Sequence, residues 1–437
     1  MSDIICSTSQ ELLEDSQSFC ILPFIHVHRS PNGDHGPCCI GLSGDLKPDA
    51  NLLELVNSDV MKQVRSDMLN NIKNPVCFKC HRHEEISGHS ARQDYNKIHG
   101  KFLPDILDKV ESDGTHNDFK MRYFDIRFNN LCNFKCRTCG PGYSSQWSTE
   151  ILKYDIYNQR RFIGIEVDNI IATSNTNELL EDIIQQIPNL DTLYFAGGEP
   201  LIDENHYAIL TELIRQGRTD VELKYNTNAS NLNFKKYDII DMWSNFAKPV
   251  YLSASIDHTF ERAEYIRSGT NWDDIIDNLF ILKNSAYVDV HLNTVVSNLN
   301  FVTIADMIND LWDYGLLTPS RSTSWMHDHE FITTNFYPCM DPPYLSLQAL
   351  PTDLKKQGIK KMENMFTAMS KRAYIDPHMI ESAKQCIEIA SQCDTWQENN
   401  EKFREYIKYF DDIRNDDFLT TFPELGTMMK KPDGWFL

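Results

Sequence analysis

Cys132, Cys136 and Cys139 sit at C-x3-C-x2-C spacing in the run Cys132-Asn133-Phe134-Lys135-Cys136-Arg137-Thr138-Cys139. This spacing offers three thiolates to one metal centre and withholds a fourth. A cuboidal [4Fe–4S] cluster held by three thiolates keeps one iron open to an outside ligand, an arrangement suited to binding and reducing a small molecule. About sixty residues on comes Ala196-Gly197-Gly198-Glu199-Pro200. There two glycines let the backbone approach a ligand closely, and a carboxylate can accept from an ammonium group. A structural zinc site is the competing reading of the triad, but zinc usually takes four ligands and no fourth Cys or His follows closely after Cys139.

The elements that must position these groups show in the middle of the chain. Short β-branched or aromatic runs predict strands at Tyr123–Asn129, Thr192–Ala196, Glu222–Asn226, Val250–Ile256 and Asp289–Val296. Helical segments lie between them, at Leu179–Gln186, His206–Gln216 and Trp272–Lys283. Strand-then-helix repetition favours a parallel sheet with right-handed crossovers. Cys132 follows the first strand within three residues, and the Gly-Gly-Glu-Pro run directly follows the second. Both motifs are therefore expected at the C-terminal ends of barrel strands.

In spacing and order, the triad and the Gly-Gly-Glu-Pro run resemble the radical S-adenosylmethionine (SAM) superfamily. Further matches are Tyr225-Asn226-Thr227-Asn228, Ser253-Ala-Ser255-Ile-Asp257, Glu264-Tyr-Ile-Arg267-Ser-Gly269 with Trp272, and His291-Leu-Asn293-Thr-Val295-Val296. The resemblance implies that Cys132, Cys136 and Cys139 hold a catalytic [4Fe–4S] cluster whose open iron binds SAM. Gly197, Gly198, Glu199 and Pro200 would contact the SAM amino group, Ser255 would line the cofactor, Arg267 would pair its carboxylate, and Asn293 would meet its ribose. One electron then yields a 5′-deoxyadenosyl radical that takes a hydrogen from a substrate. One departure is Thr138, where the superfamily usually has an aromatic residue beside the adenine, a contact then left to a neighbour such as Phe134.

A second set comprises Cys20, Cys38, Cys39, Cys77 and Cys80. A strand after Phe24, the turn Ser30-Pro31-Asn32-Gly33 and a return into Pro37-Cys38-Cys39 predict a hairpin that brings Cys20 near Cys38. Cys77-Phe-Lys-Cys80 adds a chelating turn, and four thiolates make a closed site. The Gly33-to-Cys38 step and the later C-x2-C resemble the auxiliary-cluster domains called SPASM and twitch. With the pattern ending at Cys80, the twitch type with one cluster is the better match. The resemblance therefore implies a second, auxiliary [4Fe–4S] cluster on Cys20, Cys38, Cys77 and Cys80. Four-thiolate zinc is the rival, and Cys39 is the alternative to Cys38 as ligand.

Outside these sets, Cys386 and Cys393 lie seven apart on a helical stretch and are expected on one buried apolar face. Cys339 follows the barrel as a packed thiol. Trp325-Met326-His327-Asp328-His329-Glu330 is expected to be a strand-end loop.

The expected fold is α/β: a partial (β/α)6 TIM-like barrel of the radical SAM type with a small N-terminal α+β twitch-like domain and a helical C-terminal region. The boundaries are 1–97 for the auxiliary domain, 98–117 for a linker around one short helix (Leu103–Val110), 118–330 for the core and 331–437 for the helical region. Lys and Arg number 42 against 63 Asp and Glu, a net charge of −21, which disfavours nucleic-acid partners. Hydrophobic residues at 41% fit a globular chain. No secretory signal or run of eighteen apolar residues is visible, and twelve cysteines then argue for a reducing, cytoplasmic setting. The expected partners are a peptide or small-molecule substrate and an external one-electron reductant such as flavodoxin or ferredoxin, with no membrane. Peptide or protein modification is the leading function. Oxidation of a small carbohydrate-like molecule, or a non-catalytic iron–sulfur or zinc protein, is the alternative.

Overall fold

A computed structural model describes residues 8–31, 33–41, 50–154, 177–317, 331–332, 334–371 and 374–430. The Trp325–Glu330 run lies outside them. The chain divides into two compact units, one carrying residues 1–130, 171–224 and 245–248 and the other 131–170, 225–244 and 249–437.

In the first unit, β1 (His28–Arg29) and β2 (His35–Gly36) form an antiparallel hairpin. Gly33, at φ +93°, makes its turn, with the Gly33 N–H donating to the Ser30 carbonyl at 3.0 Å. β1 then pairs in parallel with β3 (Tyr123–Ile126), setting His28 opposite Asp125 and Arg29 opposite Ile126. β3 pairs in parallel with β4 (Thr192–Phe195), and β5 (Glu222–Thr227) lies on the far side of β4. β3 is buried along its whole length, as expected of a strand covered on both faces.

The unit's core gathers Phe19, Ile21, Leu22, Phe24, Ile25, Val64, Met68, Leu103 and Tyr123. The capped helix α1 (Asp59–Leu69) carries Arg65, whose buried guanidinium donates to the carbonyls of Gly114 at 2.6 Å, Val56 at 2.8 Å and Pro23 at 3.1 Å. The expected linker is thus packed. Leu103 and Ile106 are buried in the core, and two 3-10 turns, Gly100–Asp105 and Leu107–Lys109, replace the predicted helix.

In the second unit, β6 (Val250–Ser255), β7 (Val288–Val296) and β8 (Asn335–Pro338) are parallel. The order runs on from the end of β5 as β5-β6-β7-β8. Ser255 pairs with Asn293 and Asn293 in turn with Asn335. The C-terminal region is helical: α2 (Thr352–Met369), α3 (Pro377–Gln392) and α4 (Trp396–Arg414). The predicted strands thus form with ends shifted by a few residues at most. Cys386 is buried in α3. Cys393 is exposed, because α3 ends at Gln392 and the backbone of Cys393 is extended, so the shared face does not continue to it. Among the described residues no helix is long and apolar enough to cross a membrane.

Candidate cofactor sites

The Cys132–Cys139 loop is tied along one side to residues 266–268. The Lys135 N–H donates to the Ser268 carbonyl at 2.8 Å and the Arg137 N–H to the Ile266 carbonyl at 2.7 Å. Ser144 Oγ donates to the Phe134 carbonyl, and Trp147 Nε1 to the Cys136 carbonyl at 3.0 Å. The Phe134 N–H points at Cys132 Sγ, 3.4 Å away. Buried Arg137 anchors the loop through Asp411 at 2.9 Å and Asp416 at 2.8 Å, its guanidinium 3.7 Å from the Tyr265 ring centre.

Gly269 allows this close approach. At φ +110° it takes a conformation that L side chains rarely adopt, and an added Cβ would lie 2.9 Å from the Asn133 carbonyl oxygen and 3.0 Å from the Phe134 ring. Gly269→Ala is therefore expected to lower the melting temperature, with a cost of about 1–3 kcal/mol. It should also lower iron retention at the Cys132 loop, read by iron analysis of the purified variant. An unchanged melting point and iron content would show that the loop does not depend on this contact.

Cys136 and Cys139 are not poised as free nucleophiles. Burial raises the Cys136 pKa while Arg267 draws it back down. Burial, with Cys136 adding to it, pushes Cys139 up to about 12. Such groups lose their protons when a metal takes them. Next to them Asp257, fully buried after β6, holds Arg267: Asp257 Oδ2 accepts from Arg267 Nη1 at 3.0 Å, and Oδ1 accepts from the Val295 N–H at 2.8 Å. Although burial opposes its charge, Cys136 and Asp257 hold the Arg267 pKa above its usual value. Arg267 lines a cavity with Phe134, Asn228, Ser255 and Trp272. Arg267 Nε, Trp272 Nε1 and Asn293 Oδ1 are buried polar atoms without a hydrogen-bond partner. Asn293 Nδ2 donates to Asn226 Oδ1 at 3.3 Å. Cys339 is buried, and its thiol is pushed to about 12 by burial and then by the charge of Asp257.

In the first unit, Gly197 and Gly198 turn at φ +82° and +53°. A Cβ on Gly197 would lie 2.3 Å from Arg127 Cδ. Glu199 is buried and accepts from the Leu201 N–H at 3.1 Å, capping the 3-10 turn Pro200–Ile202.

The same unit brings Cys20, Cys38, Cys77 and Cys80 around one cavity, with Met68, Val76 and Arg92 also lining it. Asn96 and Arg92 fix the backbone on either side of Cys20: Asn96 Oδ1 accepts from the Ile21 N–H at 2.8 Å, and Arg92 Nη1 donates to the Phe19 carbonyl at 2.7 Å. Asn74 caps the turn Pro75–Cys77, which runs into the helix Phe78–Ser87 bearing Cys80. Burial first, then the charges of Cys38, Cys77 and Cys80, raises Cys20 well above a normal thiol. Cys38 and Cys77 are pushed up to about 12, again first by burial. Cys39 is exposed and does not line this cavity. The sequence alone left Cys38 and Cys39 open, and it gave Asp257 and Arg137 no role. The Arg-Asp pairing at 257 and 267 had a signal in the flanking motifs, whereas the partners of Arg137 at Asp411 and Asp416 had none.

Residues 126–311 match the sequence model of the Radical SAM superfamily. No curated protein matches the chain. Among solved structures, it is similar to native anSMEcpe with bound AdoMet and Cp18Cys peptide, at 13% identity and TM-score 0.37, over 56% of this chain and 60% of that one. It is also similar to Streptococcus suis SuiB bound to S-adenosylmethionine, at 12% identity and TM-score 0.33, over 72% of this chain and 64% of that one. With SuiB bound to precursor peptide SuiA the figures are 11% and 0.31, over 84% and 68%. The chain thus spans about 60% of the length of anSMEcpe.

Proposed function

We propose, from the radical SAM domain that this chain carries over residues 126–311, that it cleaves SAM reductively and uses the resulting radical on a peptide or protein substrate. The observation that carries the reading is the loop presenting Cys132, Cys136 and Cys139, with Arg267 held beside Cys136 by buried Asp257. When bound, a [4Fe–4S] cluster with one open iron supplies the electron that breaks the sulfonium bond.

The donor set fits that group. Three thiols, two of them with raised pKa values, give up their protons on loading, and the Arg267 guanidinium offsets part of the thiolate charge. Arg267 spends Nη1 on Asp257 and keeps Nε for a carboxylate, so Asp257 positions the fork and the ligand completes it. The unpaired Asn293 Oδ1 fits a ribose hydroxyl, and Ser255, which lines the cavity beside Arg267, would line the same cofactor. For Glu199, with Gly197, Gly198 and Pro200, we keep the role its motif implies, recognition of the SAM ammonium. Cys20, Cys38, Cys77 and Cys80 would hold the auxiliary [4Fe–4S] cluster, with Cys39 outside it. A flavodoxin- or ferredoxin-like protein would supply the electron.

Anaerobic reconstitution with iron and sulfide tests this. With SAM and dithionite, the full chain should release 5′-deoxyadenosine and methionine in equal amounts, from about eight irons in two four-iron clusters. A fully iron-loaded protein that produces no 5′-deoxyadenosine overturns the reading in favour of a binding module.

A further inference from the structure

We infer that His26, His28 and Asp125 form a site for one divalent transition-metal ion, built without any cysteine. All three residues lie in the first unit, and the site does not depend on the SAM reading. His26 and His28 stand two apart along an extended segment, so both side chains fall on one face. The parallel pairing of β1 with β3 then sets Asp125 opposite His28. All three side chains are almost fully buried. One nitrogen of each imidazole and one carboxylate oxygen lie within 4.8 Å of one another. An ion with ligands at about 2.0–2.2 Å can bridge such a group.

The outer bonds of the two rings support this. His26 Nδ1 lies 3.0 Å from the Tyr123 carbonyl oxygen, which can only accept, so the proton sits on Nδ1 and the lone pair on Nε2. His26 Nε2 is buried and has no partner. His28 Nε2 meets Ser30 Oγ at 3.2 Å and turns its Nδ1 to Asp125 Oδ2 at 3.0 Å. Metal-binding imidazoles are typically held in this way, one nitrogen fixed by a carbonyl or hydroxyl and the other facing the ion. A plain His28–Asp125 ion pair explains only part of the arrangement, since it leaves the His26 lone pair buried and unpaired, which is costly. Two imidazoles and one carboxylate suit Zn2+, Fe2+ or Co2+ better than Mg2+ or Ca2+, and three protein ligands leave coordination positions open.

The test uses the full-length protein with its cysteine sites first filled by iron and sulfide, then titrated anaerobically with Co2+ alone. One Co2+ per chain should bind, with visible ligand-field bands and without the intense near-ultraviolet band of a thiolate ligand. His26→Gln and Asp125→Asn should each weaken Co2+ binding by roughly 100-fold or more while iron and sulfide contents stay the same. No uptake, a thiolate band, or unchanged affinity in the variants would overturn the site. Should the variants fail to fold, pulsed EPR of the Co2+-loaded wild type decides: couplings from two imidazole nitrogens support the site, and their absence refutes it.

Discussion

Replacing Cys132, Cys136 and Cys139 together with Ala is expected to abolish 5′-deoxyadenosine formation and to remove about four irons per chain. The loss should be complete rather than graded, because the loop offers three thiols to a cluster that has no protein ligand to spare. The loop's framework does not run through these side chains. It is held by the backbone bonds to Ile266 and Ser268 and by Arg137 with Asp411 and Asp416. The triple variant should therefore keep its circular-dichroism spectrum and its other cluster, so lost turnover is not mere unfolding. Undiminished 5′-deoxyadenosine from this variant would remove the catalytic assignment.

The second large effect concerns the cavity lined by Cys20, Cys38, Cys77 and Cys80. Serine at any one of these should cost the auxiliary cluster, a loss of up to about four irons per chain, whereas Cys39→Ser should leave iron content unchanged. Reduced by dithionite, the auxiliary cluster's EPR signal should not respond to SAM, because a fully ligated cluster has no open iron. The signal from the Cys132 loop should respond. Uptake of one zinc in place of iron and sulfide would make the module a structural zinc site. The full chain is needed for this measurement, since β1 finds its parallel partner only at Tyr123–Ile126. Burial and their mutual repulsion hold these thiols protonated, so loading releases protons and should be favoured as pH rises.

Much of the strand framework was legible in the sequence. β4 to β7 each carry a run of β-branched or aromatic residues, and their ends fall within two residues of where those runs stop. The hairpin of β1 and β2 was legible from its turn, but the parallel pairing of β1 with β3 was not, because that partner is remote in sequence. The His26–Tyr123 contact, for example, spans 97 residues. That is why the His26, His28 and Asp125 cluster did not show in the sequence, whereas the cysteines announced themselves by local spacing. Cys38 and Cys39 could not be told apart because adjacent residues share every local signal and differ only in the direction the folded turn gives them. The Cys386 and Cys393 pattern failed for a related reason: a seven-residue spacing marks one face only while the helix lasts.

Arg137 has a consequence for how the protein is made. It lies between Cys136 and Cys139, and its carboxylate partners are Asp411 and Asp416, the farther one 279 residues away. Tyr406 adds a bond from its hydroxyl to the Arg137 carbonyl at 2.9 Å. While the ribosome is still translating the middle of the chain, this guanidinium has neither counter-charge, and the loop lacks its anchor. If the loop takes the cluster proposed for it, loading of Cys132, Cys136 and Cys139 is expected only after synthesis, once Asp411 and Asp416 are in place to anchor it.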